Sequence, residues 1–252
     1  MPRFSANIST MFREHALIDR VMAAKRAGFA AVECQAPYEA PAAEWAQALE
    51  EADIPLVHIN TSMGDVAAGD FGLAAVPGRE EEFRAAVANA CGYAERLGIE
   101  RIHVVAGKAE PGDERCRALF VENLRHAADA SAEVGARALV EPLNRKDVPG
   151  YFIAGSDEGM AAIEAAAHDN VALQYDLYHM QMTEGDLIAT MQRLLPRISH
   201  VQFADAPGRH EPGSGEINFS NVFAALDEAG YSGWVGAEYL PSGATTDSLG
   251  WM

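Results

Sequence analysis

The chain has 252 residues, nearly half of them apolar, with 19 Lys and Arg against 37 Asp and Glu, a formal charge of −18. That balance argues against nucleic acid or an anionic membrane as a partner, because phosphate binding draws on a basic surface. No apolar run approaches the ~20 residues of a membrane span, the opening stretch does not read as a signal peptide, and Cys34, Cys91 and Cys116 lack metal spacing, so a reduced, cytoplasmic setting is expected.

Taken in order, residues 4–8 read as a first strand, and helical periodicity over 14–27 stops at Gly28, a good C-cap. A second strand over 30–33 ends on the carboxylate Glu33. An Ala-rich helix (42–52) and a third strand (55–60) follow. Residues 61–78 hold four glycines and no periodicity, a loop long enough to be functional. A helix over 79–97, a strand over 101–106 and a helix over 114–134 come next. The fifth strand, Ala138-Leu-Val140, breaks off at Glu141-Pro142. Ser156-Asp-Glu opens a helix with good capping chemistry that runs to about His168. A sixth strand (171–176) ends on Asp176, and a helix spans 187–195. A seventh strand (198–203) carries Gln202 near its end. A Gly/Pro-rich loop (205–216), a helix (219–229) and an eighth strand (234–238) ending on Glu238 complete the pattern.

Strict alternation of eight strands with helices predicts parallel strands joined by right-handed crossovers. Eight units in this length predict closure into a single-domain (β/α)8 TIM barrel over 1–252. After Glu238 only 14 residues remain. The last helix is therefore expected to be short, or its edge to be covered by a neighbouring subunit in a homo-oligomer.

The chemistry gathers at the strand ends. A charge at the end of a buried strand is expensive unless it pairs or binds metal. Glu141, Asp176 and Glu238 end neighbouring strands, with the amide of Gln202 among them. Such an all-oxygen set suits Mg²⁺ or Mn²⁺. Without a metal the clustered carboxylates would repel and at least one would keep its proton, which equally serves proton transfer. His179, three residues after Asp176, is placed to contact substrate or support a ligand. Arg209, in the loop after the seventh strand, offers a guanidinium for an anionic substrate; Arg79, Arg145 and Lys108 are rivals for that role. Dinucleotide, P-loop, nucleophile-elbow and His-Glu-x-x-His motifs are absent.

These residues, with Pro77-Gly-Arg-Glu-Glu-Glu-Phe83, Val140-Glu-Pro-Leu-Asn144, Pro149-Gly-Tyr-Phe152, Tyr175-Asp-x-x-His179, the block from His200-Val-Gln202 through Pro207-Gly-Arg-His-Glu-Pro212 to Gly215-Glu-Ile-Asn218, and Gly236-Ala-Glu-Tyr239, resemble the hydroxypyruvate isomerase family of xylose-isomerase-like TIM barrels. That family includes 2-oxo-tetronate isomerases, which Asn60-Thr61, Gly64-Asp65, the Gly69 loop and Leu249-Gly-Trp251 resemble at least as well. The resemblance implies an aldose–ketose type isomerase acting on a small anionic hydroxy-keto acid. Glu141 and Glu238 would be the proton donor and acceptor, and a divalent metal would be held by Glu141, Asp176, Gln202 and Glu238. Many relatives carry histidine where this chain has Gln202.

Overall fold

The computed structural model describes residues 2–252. Eight parallel strands, β1 (Arg3–Asn7), β2 (Ala31–Cys34), β3 (Leu56–Asn60), β4 (Arg101–His103), β5 (Arg137–Val140), β6 (Val171–Asp176), β7 (Ile198–Phe203) and β8 (Trp234–Ala237), close in sequence order into a barrel. Closure is made where Arg3–Ala6 of β1 pair with Trp234–Ala237 of β8. The surrounding helices are α1 (Asp19–Arg26), α2 (Ala42–Ala52), α3 (Glu80–Leu97), α4 (Glu114–Glu133), α5 (Ser156–Ala166), α6 (Leu177–Thr183), α7 (Leu187–Leu194) and α8 (Phe219–Glu228). Their apolar faces and the outward faces of the strands form the main core, with Trp45, Phe83, Phe120 and Phe203 fully buried. No helix among the described residues is long and apolar enough to cross a membrane.

Three departures from the sequence-based expectation have local causes, and the short segment after β8 is as expected. The first helix begins at Asp19 rather than residue 14, because Glu14 is engaged elsewhere: its carboxylate accepts the main-chain N–H and hydroxyl of Thr245 (both 3.2 Å). Strand β4 stops at His103, after which the backbone turns to meet the long β3–α3 loop. There Gly72 and Ala106 form an antiparallel bridge, and a Cβ on Gly72 would stand 2.6 Å from both Gly107 N and Val105 O. Helix α6 is an extra helix of about two turns directly after β6; it starts because Asp176 Oδ1 accepts the N–H of Tyr178 at 2.7 Å, as an N-cap does. After β8 there is only a 3₁₀ turn, Thr245–Ser248. The chain covers that edge itself, with Trp251 edge-on to Phe4 and Phe203 at centroid distances of 5.1 and 5.0 Å.

Candidate active site

The residues singled out from sequence converge at the C-terminal mouth of the barrel, the end where such barrels build their chemistry. Glu141 follows β5 directly, Asp176 is the last residue of β6, and Glu238 follows β8. Glu141, Glu238, His179 and Arg209 line one cavity of about 100 Å³ together with Gln35, Asn60 and His103; Met63, Phe71 and Leu143 supply apolar walls. A larger hollow of about 400 Å³ between α4 and α5 lies on the helical exterior, among Phe120, Phe152 and several alanines, and none of the strand-end residues reaches it.

The two glutamates differ in their surroundings. Glu238 Oε1 accepts amide N–H groups from Asn7 (2.7 Å), Gln35 (2.8 Å) and Gln202 (3.3 Å), and its Oε2 accepts from the Arg209 guanidinium. Among the described residues Glu141 Oε1 has no hydrogen-bond partner, and Oε2 lies 3.1 Å from Nδ1 of the buried His103. Burial raises both carboxyls. For Glu238 the Arg209 charge opposes the rise and holds it to about 7. Glu141 is pushed well above the carboxylate range by burial and by the neighbouring charges of Glu238 and Asp176. The arrangement favours a proton on Glu141 ahead of one on Glu238.

Arg209 reaches this site from a loop with its own anchor. Asp205, fully buried, accepts four main-chain N–H groups: Ala206 (2.9 Å) and Ile217 (3.0 Å) on Oδ1, Gly213 (2.9 Å) and Gly215 (2.8 Å) on Oδ2. Gly215 is required because a Cβ there would stand 2.2 Å from Ala206 O. Arg209 itself has φ +59°, a left-handed conformation unusual for a side-chain-bearing residue. Its guanidinium contacts Glu238, lies 3.4 Å from Asp176 Oδ2 and 3.1 Å from His179 Nε2, and sits over the Tyr178 ring. The rival cations are engaged elsewhere. Arg79 pairs with Asp70 (2.9 Å) and Glu82 (2.6 Å), Arg145 with Glu158 (2.9 Å) and the carbonyls of Tyr151 and Phe152, and Lys108 donates to Gly69 O (3.0 Å).

Glu141, Asp176 and His179, all buried, offer ligand atoms within 4.8 Å of one another, and two carboxylates with an imidazole make a donor set for Mg²⁺ or Mn²⁺. The unpartnered Glu141 Oε1 is the atom such an ion would satisfy. Gln202 takes a different place from that of a metal ligand. Its oxygen accepts from Gln174 Nε2 (2.6 Å), and its nitrogen faces Glu33 (2.7 Å) and Glu238.

Several residues of the site lay outside the strand-end pattern: Asn7, Gln35, His103, Asp205, and Ser5, His58, Gln174 and His200, which with the strand-end Glu33 form an interior set. All of the interior set are buried. In most of these barrels the interior is filled by branched apolar side chains; here it is polar. Burial works to raise the Glu33 carboxyl, yet the His200 ring 3.0 Å away, with His58 and Ser5, brings it down to about 2. The signal was present in the sequence as a period of two, which puts residues on one face of a strand: Ser5/Asn7, His58/Asn60, Gln174/Asp176, His200/Gln202 and Gly236/Glu238.

Known proteins resemble this chain over its full length. A 2-oxo-tetronate isomerase from Cupriavidus necator is 45% identical, the match covering 100% of this chain and 98% of that protein. A hydroxypyruvate isomerase from Escherichia coli is 41% identical over 100% of this chain and 98% of its own length. A crystal structure described as an AP endonuclease, family 2, from Brucella melitensis matches with a TM-score of 0.97 at 44% identity, covering 100% of this chain and 98% of that one. The model of the xylose isomerase-like TIM barrel family matches residues 21–252, and the chain belongs to that family.

Proposed function

We propose that this isomerase interconverts a small hydroxy-2-oxo acid and its aldehyde isomer. In the three-carbon case hydroxypyruvate becomes 2-hydroxy-3-oxopropanoate. The observation that carries the reading is the pair of unlike glutamates, Glu141 and Glu238, facing one small cavity with Arg209 beside them. Glu238, whose charged form three amides and a guanidinium favour, takes the carbon-bound proton from C3. Electron density shifts onto the C2 oxygen and gives an enediolate. Glu141, which favours its proton, delivers one to C2, while the C3 hydroxyl proton moves to the C2 oxygen and leaves an aldehyde. Arg209 attracts the substrate carboxylate against the overall negative charge, and His179 hydrogen-bonds a reacting oxygen. In the alternative, ion-loaded state Glu141 and Asp176, as carboxylates, and His179 would hold a divalent ion in place of those two roles of Glu141 and His179, and the ion would supply Lewis-acid stabilisation of developing negative charge.

Relatives named for both a three-carbon and a four-carbon substrate match over the full chain. The four-carbon 2-oxo acid is therefore the second reading, favoured by the 45% identical relative. Comparing kcat/KM on hydroxypyruvate and 2-oxotetronate chooses between them. A nucleic-acid substrate fits poorly: the chain carries −18, and the cationic groups Arg79, Arg145 and Lys108 are committed to intramolecular contacts.

Proton transfer is tested by incubating candidate acids with the enzyme in D₂O and following deuterium entry at C3 and C2 by NMR. Glu141→Gln and Glu238→Gln should each lower turnover by at least ~10²-fold, the lower end for general acid–base catalysis. Near-normal turnover in either variant, or substrate carbons that never exchange with solvent, would defeat the proposal.

A further inference from the structure

Below the cavity, Glu33 stands inside the barrel with no exposure, paired in register with Asn7 on one side and His58 on the other. Its Oε1 accepts from Ser5 Oγ and lies 3.0 Å from His200 Nε2; its Oε2 accepts from Gln202 Nε2 at 2.7 Å. Room for it is made by Gly236, where a Cβ would stand 2.2 Å from Glu33 Oε1. A buried carboxylate and two imidazoles are costly where apolar side chains would do, so the set calls for a function.

A metal is one reading of Glu33, His58 and His200, whose ligand atoms lie within 4.8 Å of one another. The rings argue against it. A bound cation lies in the plane of each imidazole that holds it. The His58 and His200 rings are stacked, with centroids 4.9 Å apart and planes only 9° from parallel, so those planes do not meet near either nitrogen.

The hydrogen bonds run instead toward the active site. His58 Nε2 is 2.8 Å from Gln174 Oε1, Gln174 Nε2 donates to Gln202 Oε1 at 2.6 Å, and Gln202 Nε2 donates to both Glu33 and Glu238. Turned over, the Gln202 amide would set its oxygen against two carboxylates and its nitrogen against that of Gln174. The charge on Glu33 thus fixes which end of Gln202 points upward. We propose that Glu33, seated by Ser5, His200 and the space at Gly236, is a positioning residue that works through Gln202 to hold the Glu238 carboxylate in place for proton transfer. Glu33 touches no substrate and moves no proton, since the amide between it and Glu238 is not a proton relay.

The inference rests on the proton-transfer reading for its kinetic test but not for its structural one. Glu33→Gln should lower kcat by about 10–100-fold, the range seen when an outer supporting residue is lost, with little change in KM. A double-mutant cycle identifies the route. In a Glu238→Asp background, where the carboxylate is already displaced, E33Q should cost little more. In a Glu141→Asp background it should cost its full factor. Equal losses in both backgrounds would overturn the proposal, since a general structural defect acts on both. In crystals of the E33Q protein the Glu238 carboxylate should leave its place beside Asn7, Gln35 and Gln202. An unmoved carboxylate overturns the placement whatever the substrate proves to be. Wild-type protein inactive on both acids would instead count against the reaction assignment alone. Should E33Q not fold, Gln202→Met removes the connecting amide, carries the same cycle and crystal test, and has the same two outcomes.

Discussion

At the scale of single residues, the site separates two chemically identical side chains by what surrounds them. Glu238 gathers three amide N–H groups and a guanidinium, whereas one oxygen of Glu141 has no partner. The same contrast makes stability depend on pH. Glu141, Asp176 and Glu238 all have folded-state pKa values above their ordinary ones, chiefly through burial. Groups shifted this way stabilise the fold at low pH, and that contribution is lost as pH rises through the folded value, about 7 for Glu238. His58, His103 and His179 are shifted down by burial and act oppositely, but their contribution is complete once pH passes the ordinary histidine value of about 6.5. Glu33, held low, is fully ionised across this range. In chelator-treated protein the melting temperature should therefore fall between about pH 7 and 8, and Glu141→Gln should flatten the decline. Thermal melts across that window check this; a wild-type melting temperature that stays level would refute the assignment of raised carboxyl values.

At the scale of elements, the long loop after β7 acts as a rigid arm. Asp205 gathers four main-chain N–H groups, so the backbone that carries Arg209 is built around one carboxylate. Asp205→Ala leaves those donors without their acceptor, each such charged bond being worth ~1.5–3 kcal/mol. Since the loop is peripheral to the barrel, the effect should appear first in binding: KM for the acid substrate should rise roughly tenfold, ~1.4 kcal/mol, with most of the melting temperature retained. Steady-state kinetics with unchanged KM would show that Arg209 is held by other means. The strands and most helices were legible because each is an apolar run or an amphipathic stretch closed by glycine, as at Gly98 after α3. Helix α6 was not, being only 7 residues long and dependent on the Asp176 cap. Of the site, Glu141, Asp176, Glu238, His179 and Arg209 announced themselves as polar residues at strand ends or in the following segments. The orientation of Gln202 could not be read there, because it is set by Glu33, 169 positions away in the chain, and by Gln174 on the neighbouring strand.

At the scale of the whole molecule, the barrel brings eight strands together so that residues from both ends of the chain meet, as Asn7 and Glu238 do at 2.7 Å. The same closure stacks amides, carboxyls and imidazoles where other barrels stack valine and leucine: Ser5, Glu33, His58, Gln174, His200 and Gln202 are all buried there. That lining has a calorimetric consequence. Exposing apolar surface raises the heat capacity on unfolding by about 0.45 cal/K/mol per Å², whereas exposing polar surface lowers it by about 0.26. The lumen of this barrel should therefore subtract from the heat-capacity increment to which a hydrocarbon lumen would add. Scanning calorimetry should give an increment below the ~12–15 cal/mol/K per residue usual for globular proteins, and a value at or above that range would count against it. A smaller increment broadens the dome of stability against temperature, so this fold would resist cooling as well as warming, a property set by the same buried groups that steady Glu238.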